Sequence, residues 1–263
     1  MGASSLGSAL ANCTNLQNLF LGFADNQIRG EGAIGLCSAL ANCINLSNLT
    51  LGLAYNQISN EGVSSLISAL TDCPNLSVLQ LDLYDNQIGS QGLQGLISNL
   101  TSCSNLSNLT LILLCNQIGS IGVSHIGSAL ASYTHIKTLD LYLSQNKLGS
   151  QGASCLGSSL KSCYNISKLN LSLGDNQIGV QGILDLATSL AICNNLQNLT
   201  IDLYNNGIDD EGASDLISAL SDCTNLTILE LLLHYNLLSE IGKTKLIFQI
   251  LKFKRLVFKQ ICL

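Results

Sequence analysis

Leu49, Leu51 and Leu53 alternate with Thr50, Gly52 and Ala54. A period of two predicts a strand with one buried face. Ten residues on, Val63, Leu66, Leu70 and Cys73 recur at helical offsets, which marks one face of a helix. Ser59 or Asn60 is positioned to cap that helix, and Glu61 suits its first turn. Between strand and helix stands Asn56, whose amide can satisfy backbone groups exposed at a turn. Gly62 meets a need for close packing at the helix entry or for an unusual backbone angle.

This strand, turn and helix pattern is written eight times at thirty-residue spacing, with no insertion or deletion. Its asparagines are Asn26, Asn56, Asn86, Asn116, Asn146, Asn176, Asn206 and Asn236, each followed six residues later by a glycine, from Gly32 to Gly242. No single unit encloses both of its leucine rows, so the units must stack. Parallel strands stack at roughly 4.8 Å and helices at roughly 8–10 Å. The mismatch predicts a curved solenoid, with strands inside and helices outside.

Composition refines this picture. Apolar residues make up 47% of the chain, aromatics 5%, and Trp is absent, so the core is aliphatic. Mean hydropathy is positive at +0.36, yet no uninterrupted apolar run of about 18 residues spans a bilayer. The opening Met1-Gly2-Ala3-Ser4-Ser5-Leu6 has neither the basic nor the apolar region of a signal peptide. It also lacks the myristoylation pattern, since Leu6 replaces Ser or Thr. The net charge of −6 is uneven: residues 1–242 carry 17 acids and 5 bases, whereas 243–263 carry six bases and no acid. An acidic body argues against nucleic acid as partner.

Seven of the eleven cysteines share one column: Cys13, Cys43, Cys73, Cys103, Cys163, Cys193 and Cys223, with Tyr133 in the eighth place. Their spacing fits neither a disulfide framework nor a zinc site. They read as small buried residues, which favours a reducing compartment, the cytosol or nucleus. The N-x-S/T triplets, such as Asn48-Leu49-Thr50, arise from the repeat rather than from glycosylation.

The run LxLxLxxNxI followed by Gxxx(L/I)xxxL resembles the leucine-rich repeat, specifically its ribonuclease-inhibitor-like class, and covers residues 2–242. That resemblance implies an α/β horseshoe: a parallel sheet on the concave face and helices on the convex face. Two residues are added before the asparagine relative to the usual pattern, which predicts a longer strand and a broader inner face. A non-catalytic intracellular protein-binding module is also implied. Similar near-identical arrays occur in protists, some joined to protein kinases, so a recognition segment of a larger signalling enzyme is the alternative. The chain has no kinase glycine loop, His-Arg-Asp or Asp-Phe-Gly. Some leucine-rich-repeat proteins activate GTPases, but Arg29 is the only arginine in the body, a poor supply for an arginine finger.

Variable columns between the strand leucines are where a partner would be read. They hold Tyr55, Asp82, Tyr84, Asp140, Tyr142, Asp202, Tyr204, Glu230, His234 and Tyr235. Tyrosine gives contact area with a polar tip, and the acids favour a basic or mixed-charge protein. A solvated face without a ligand is the other reading. No catalytic group, metal or cofactor is expected: His125, His135 and His234 fall in unrelated columns, Cys115 is a lone turn thiol, and Asp209-Asp210-Glu211 suits a helix N-terminus. Residues 2–10 form a lone first helix. Residues 243–263 leave the repeat and read as a diverged basic and apolar closing helix, with a partner or membrane contact as alternatives.

Overall fold

The computed structural model describes residues 2–71, 73–130, 135–162 and 164–263, apart from the side chains of residues 37–39 and 69. Tyr133 and Cys163 of the cysteine column lie outside the described residues. Among the described residues the elements alternate as α1 (Gly2–Leu10), β1 (Asn18–Gly22), α2 (Arg29–Leu40), β2 (Asn48–Gly52), α3 (Ser59–Leu70) and β3 (Val78–Asp82). They continue as α4 (Ser90–Leu100), β4 (Asn108–Ile112), α5 (Gly119–Leu130), β5 (Thr138–Tyr142), α6 (Gly149–Leu160) and β6 (Lys168–Ser172). The last are α7 (Gly179–Leu190), β7 (Asn198–Asp202), α8 (Asp210–Leu220), β8 (Ile228–Leu232), α9 (Glu240–Leu251) and β9 (Phe258–Cys262). The strands form one parallel sheet in sequence order. Each residue pairs with its equivalent thirty positions on, as Leu49 does with Leu79. The fold is a leucine-rich-repeat solenoid.

The leucine rows from the strands and helices meet in one continuous core. Leu49, Leu51, Leu53, Val63, Leu66 and Leu70 are wholly buried, each contributing about 1.5–3 kcal/mol of apolar burial. Gly62 serves close packing: an added Cβ would stand 2.6 Å from Ile58 Cγ2 and 2.8 Å from Gly30 Cα.

The asparagine column is a hydrogen-bond ladder running the length of the solenoid. Asn86 Nδ2 donates to the Leu53 and Tyr84 carbonyls at 2.8 and 3.1 Å. Its Oδ1 accepts the Asn56 and Ile58 N–H groups at 3.1 Å each. One side chain therefore satisfies backbone of two repeats, which makes a fully buried amide tolerable. A second column does similar work in the loop before each strand. There Asn45 Nδ2 donates to the Thr14 carbonyl at 2.9 Å, and Asn75 to Ile44 at 2.9 Å.

The cysteine column adds a third ladder. Cys73 Sγ donates to the Leu40 carbonyl at 3.4 Å and Cys223 Sγ to the Leu190 carbonyl at 3.6 Å. Each thiol thus meets the last carbonyl of the helix in the repeat before its own, a group left without an intrahelical partner. Burial pushes the Cys103, Cys193 and Cys223 thiols up to about 11.

Three expectations are sharpened or corrected. First, the regular strand is five residues long, and the added residues carry its pairing further. Pairing continues irregularly beyond it, with Leu53 N donating to Asp82 O at 2.8 Å and Tyr55 N to Tyr84 O at 2.9 Å. Regular strand geometry ends because the residue before each asparagine takes a left-handed backbone, φ 57° at Tyr55. Second, the cap beyond Ser59 and Asn60 works forward: Asn60 Oδ1 accepts from Gly89 N at 2.7 Å and Gly92 N at 3.2 Å, at the start of α4 in the next repeat.

The third correction concerns residues 243–263. They are not a single closing helix, because the chain leaves α9 at Leu251 and forms β9 in register with β8, Ile228 opposite Phe258. Leu246, Ile250, Phe253 and Leu256 stand one period after Leu216, Leu220, Cys223 and Leu226, so the repeat runs on past Gly242. Several bases are used internally. Arg255 donates to the Leu220 and Ser221 carbonyls at 3.1 and 2.9 Å, and its guanidinium lies 5.2 Å from the Phe253 ring centroid. Lys259 Nζ donates to the Ile250 carbonyl at 3.4 Å, and Lys243 pairs with Glu240 at 2.7 Å. Among the described residues no helix is long and apolar enough to cross a membrane.

Candidate functional site

Four variable columns cross the inner face. The first two lie on the strands, at positions such as Thr110 and Asp140, then Asp82 and Tyr142. The third, containing Tyr84, Tyr204 and His234, follows the strand end. It is not uniformly outward: Ala54 and Ser144 are buried there. The fourth, containing Tyr55 and Tyr235, belongs to the turn, and its eight residues all have φ between 47° and 60°. None of the eight is glycine. A left-handed non-glycine residue costs about 1 kcal/mol, here offset by the inter-repeat bonds that flank it.

Across these 32 positions stand seven carboxylates (Asp25, Asp82, Asp85, Asp140, Asp175, Asp202 and Glu230) and no Lys or Arg. Among the described residues the only ion pair is Lys243 with Glu240, so the inner acids are not neutralised from within.

The predicted residues form two aromatic clusters separated by a polar strip. Tyr55 and Tyr84 meet edge to face with centroids 4.7 Å apart. Hydrogen bonding to Cys115 first, and Tyr55 second, holds the Tyr84 phenol well above its usual range. Tyr204 and Tyr235 meet at 5.0 Å with ring planes 55° apart. In both clusters an aspartate braces the tyrosine two residues on. Asp82 Oδ1 accepts the Tyr84 N–H at 3.0 Å, and Asp202 Oδ1 accepts the Tyr204 N–H at 3.0 Å. In each pair one ring stands open to solvent, Tyr55 at 47% and Tyr235 at 78% exposure.

Between the clusters, side chains engage one another. Thr110 donates to Asp140 Oδ2 at 3.1 Å, and Asp140 Oδ1 is buried with no hydrogen-bond donor among the described residues. Asn170 Nδ2 donates to the Tyr142 hydroxyl at 2.9 Å. Burial, then the Asp140 charge, raises the Tyr142 phenol. Ser172 links Ser144 at 2.8 Å to Asp202 at 3.3 Å, and Thr200 donates to Glu230 at 3.4 Å. Tyr142 is therefore a braced, half-buried member of the strip, unlike the outer tyrosines. His234 is half-buried beside the second cluster, and its carbonyl accepts the Asn205 N–H at 3.1 Å.

The acidic triplet divides its work. Asp209 caps α8 by accepting from Gly212 N at 2.9 Å, while Asp210 accepts from Ser239 N at 2.8 Å in the next repeat. Bonds from the Ser239 hydroxyl and N–H hold the Asp210 carboxyl below its ordinary range. Among the described residues no group of three or more His, Cys, Asp or Glu has a metal-holding arrangement. Arg29 opens α2, and His125 sits within α5.

Sequence reasoning missed the left-handed turn column, the two aspartate braces and the pairing of tyrosines from neighbouring repeats. A signal for the pairing was present: Tyr55 and Tyr84, like Tyr204 and Tyr235, sit within one residue of a full period.

A leucine-rich-repeat family model matches residues 45–66, 75–96 and 195–216, which are three of the stacked units. No curated protein matches the chain. Among solved structures the chain is similar to leiomodin-1 actin-binding site 2, at 19% identity and a TM-score of 0.44, over 63% of this chain and 91% of that one.

Proposed function

We propose that this solenoid is a non-catalytic scaffold that binds a protein partner, basic or mixed in charge, on its concave strand face. The single observation that carries the reading is the composition of the inner columns. Seven carboxylates and five tyrosines stand there with no Lys or Arg. Such a surface attracts cations over distance, and tyrosine anchors contact with little loss of side-chain freedom. A ladder of thiols packed against helix-end carbonyls fits a reducing compartment, the cytosol or nucleus. Arg255 ties residues 243–263 to the repeat before them through carbonyls at the end of α8. Affinity capture from the native cell, followed by cross-linking of the purified complex, tests the reading. Cross-links to Lys137 and Lys168, beside the inner columns, are expected. Cross-links confined to Lys161, at the outer helix end, would overturn it.

A further inference from the structure

The two tyrosine clusters share one core. Each joins an aspartate at the end of a strand to a tyrosine two residues on whose N–H that aspartate accepts, and adds a second tyrosine, from the turn one repeat earlier beside Tyr84 and from the turn one repeat later beside Tyr204. Asp82 and Tyr84 stand four whole repeats before Asp202 and Tyr204. The aspartate bond fixes the backbone of the ring-bearing residue, so ring and carboxylate keep a set relation. A partly exposed aromatic pair beside a carboxylate that, among the described residues, no Lys or Arg neutralises is a receptor for a side-chain cation.

We infer that these clusters are twin stations for two Lys or Arg side chains of one extended basic segment lying across the strands. This rests on the concave face being the binding surface. Four strand spacings of about 4.8 Å separate the stations by roughly 19 Å. An extended chain advances about 3.3 Å per residue, so the cations stand about six residues apart. An even spacing also places both on one side of the extended chain, since its side chains alternate. The polar strip between the stations, with half-buried Thr110 and Asn170 and buried Ser172, lies under the middle of the segment.

The test uses the whole chain and synthetic Gly/Ser peptides carrying two arginines two, four, six, eight or ten residues apart, with a one-arginine peptide as reference. Affinities are read by calorimetry at low and moderate salt. The six-residue spacing binds tightest, at least about tenfold over the one-arginine peptide through linkage of two sites. Tyr84→Leu or Tyr204→Leu brings it to the one-arginine level. Asp82→Asn retains an acceptor for the Tyr84 N–H and removes the charge, so it weakens binding and its salt dependence without altering the melting temperature. Equal affinity at every spacing, or indifference to either leucine variant, overturns the twin-station proposal. Absence of any peptide binding overturns it too. The concave reading is judged separately: it stands if a captured protein partner is lost on mutating the inner columns, and falls if that partner is indifferent to them.

Discussion

The Asn86 side chain accepts the backbone N–H of Asn56, one repeat earlier, at 3.1 Å. Asn26 is exposed, and among the described residues its side chain bonds the Phe23 and Ala24 carbonyls of its own turn. The same residue type in the same column thus does different work by position in the stack. Asn86→Ala strands buried donors and acceptors in two repeats, at a cost of about 3 kcal/mol or more. Asn26→Ala costs less than about 1 kcal/mol. Urea denaturation followed by circular dichroism gives the comparison, and equal shifts in midpoint would refute the ladder.

Glycines of the helix entry and of the turn respond to alanine for different reasons. Gly62→Ala forces a Cβ to 2.8 Å from the Gly30 backbone, a clash worth about 1–3 kcal/mol. Gly119 has φ +62° with open space around it, so alanine there meets only left-handed strain of about 1 kcal/mol. Thermal melting ranks Gly62→Ala as the more damaging change.

The cysteine ladder gives a pH dependence of defined sign. In the folded chain Cys103, Cys193 and Cys223 stay protonated to about 11, against an ordinary 9.0. Between those values the unfolded chain loses these protons while the folded chain keeps them. The stabilisation, full below pH 9, is therefore lost as pH rises towards 11. The urea midpoint falls over that window, and falls less steeply in Cys103→Ala than in the parent.

Legibility in the sequence followed regularity. Leu49, Leu51, Leu53, Val63, Leu66 and Leu70 disclosed strand and helix because each repeats at a fixed offset, and stacking needs little else. The left-handed turn at Tyr55 or Cys115 was hidden because no glycine marks it; bonds from adjacent repeats hold the backbone there. Strand β9 was hidden for a related reason. Lys259 stands in a leucine column, and its amine escapes the core by reaching the Ile250 carbonyl. The ten predicted site residues were identifiable as variable columns, but their grouping into two aromatic clusters depends on contacts between repeats.

Arg255 fixes the last repeat to the one before it. Its guanidinium meets two carbonyls at the end of α8, where a positive charge also favours the helix dipole. Arg255→Ala costs about 1.5–3 kcal/mol. The change raises amide exchange in β9 and the end of α8, while exchange in β2 to β5 stays as in the parent.

The dissociation constant of the captured native partner for a chain carrying Tyr84→Ala, Tyr142→Ala and Tyr204→Ala tests the concave-face claim most directly. The control carries Gln94→Ala and Thr188→Ala, at exposed positions of α4 and α7. Roughly a hundredfold or greater loss is expected for the tyrosine variant, as for removal of interface anchors, and an unchanged constant for the control. An unchanged constant for the tyrosine variant, with its melting temperature confirming a folded chain, would contradict that claim.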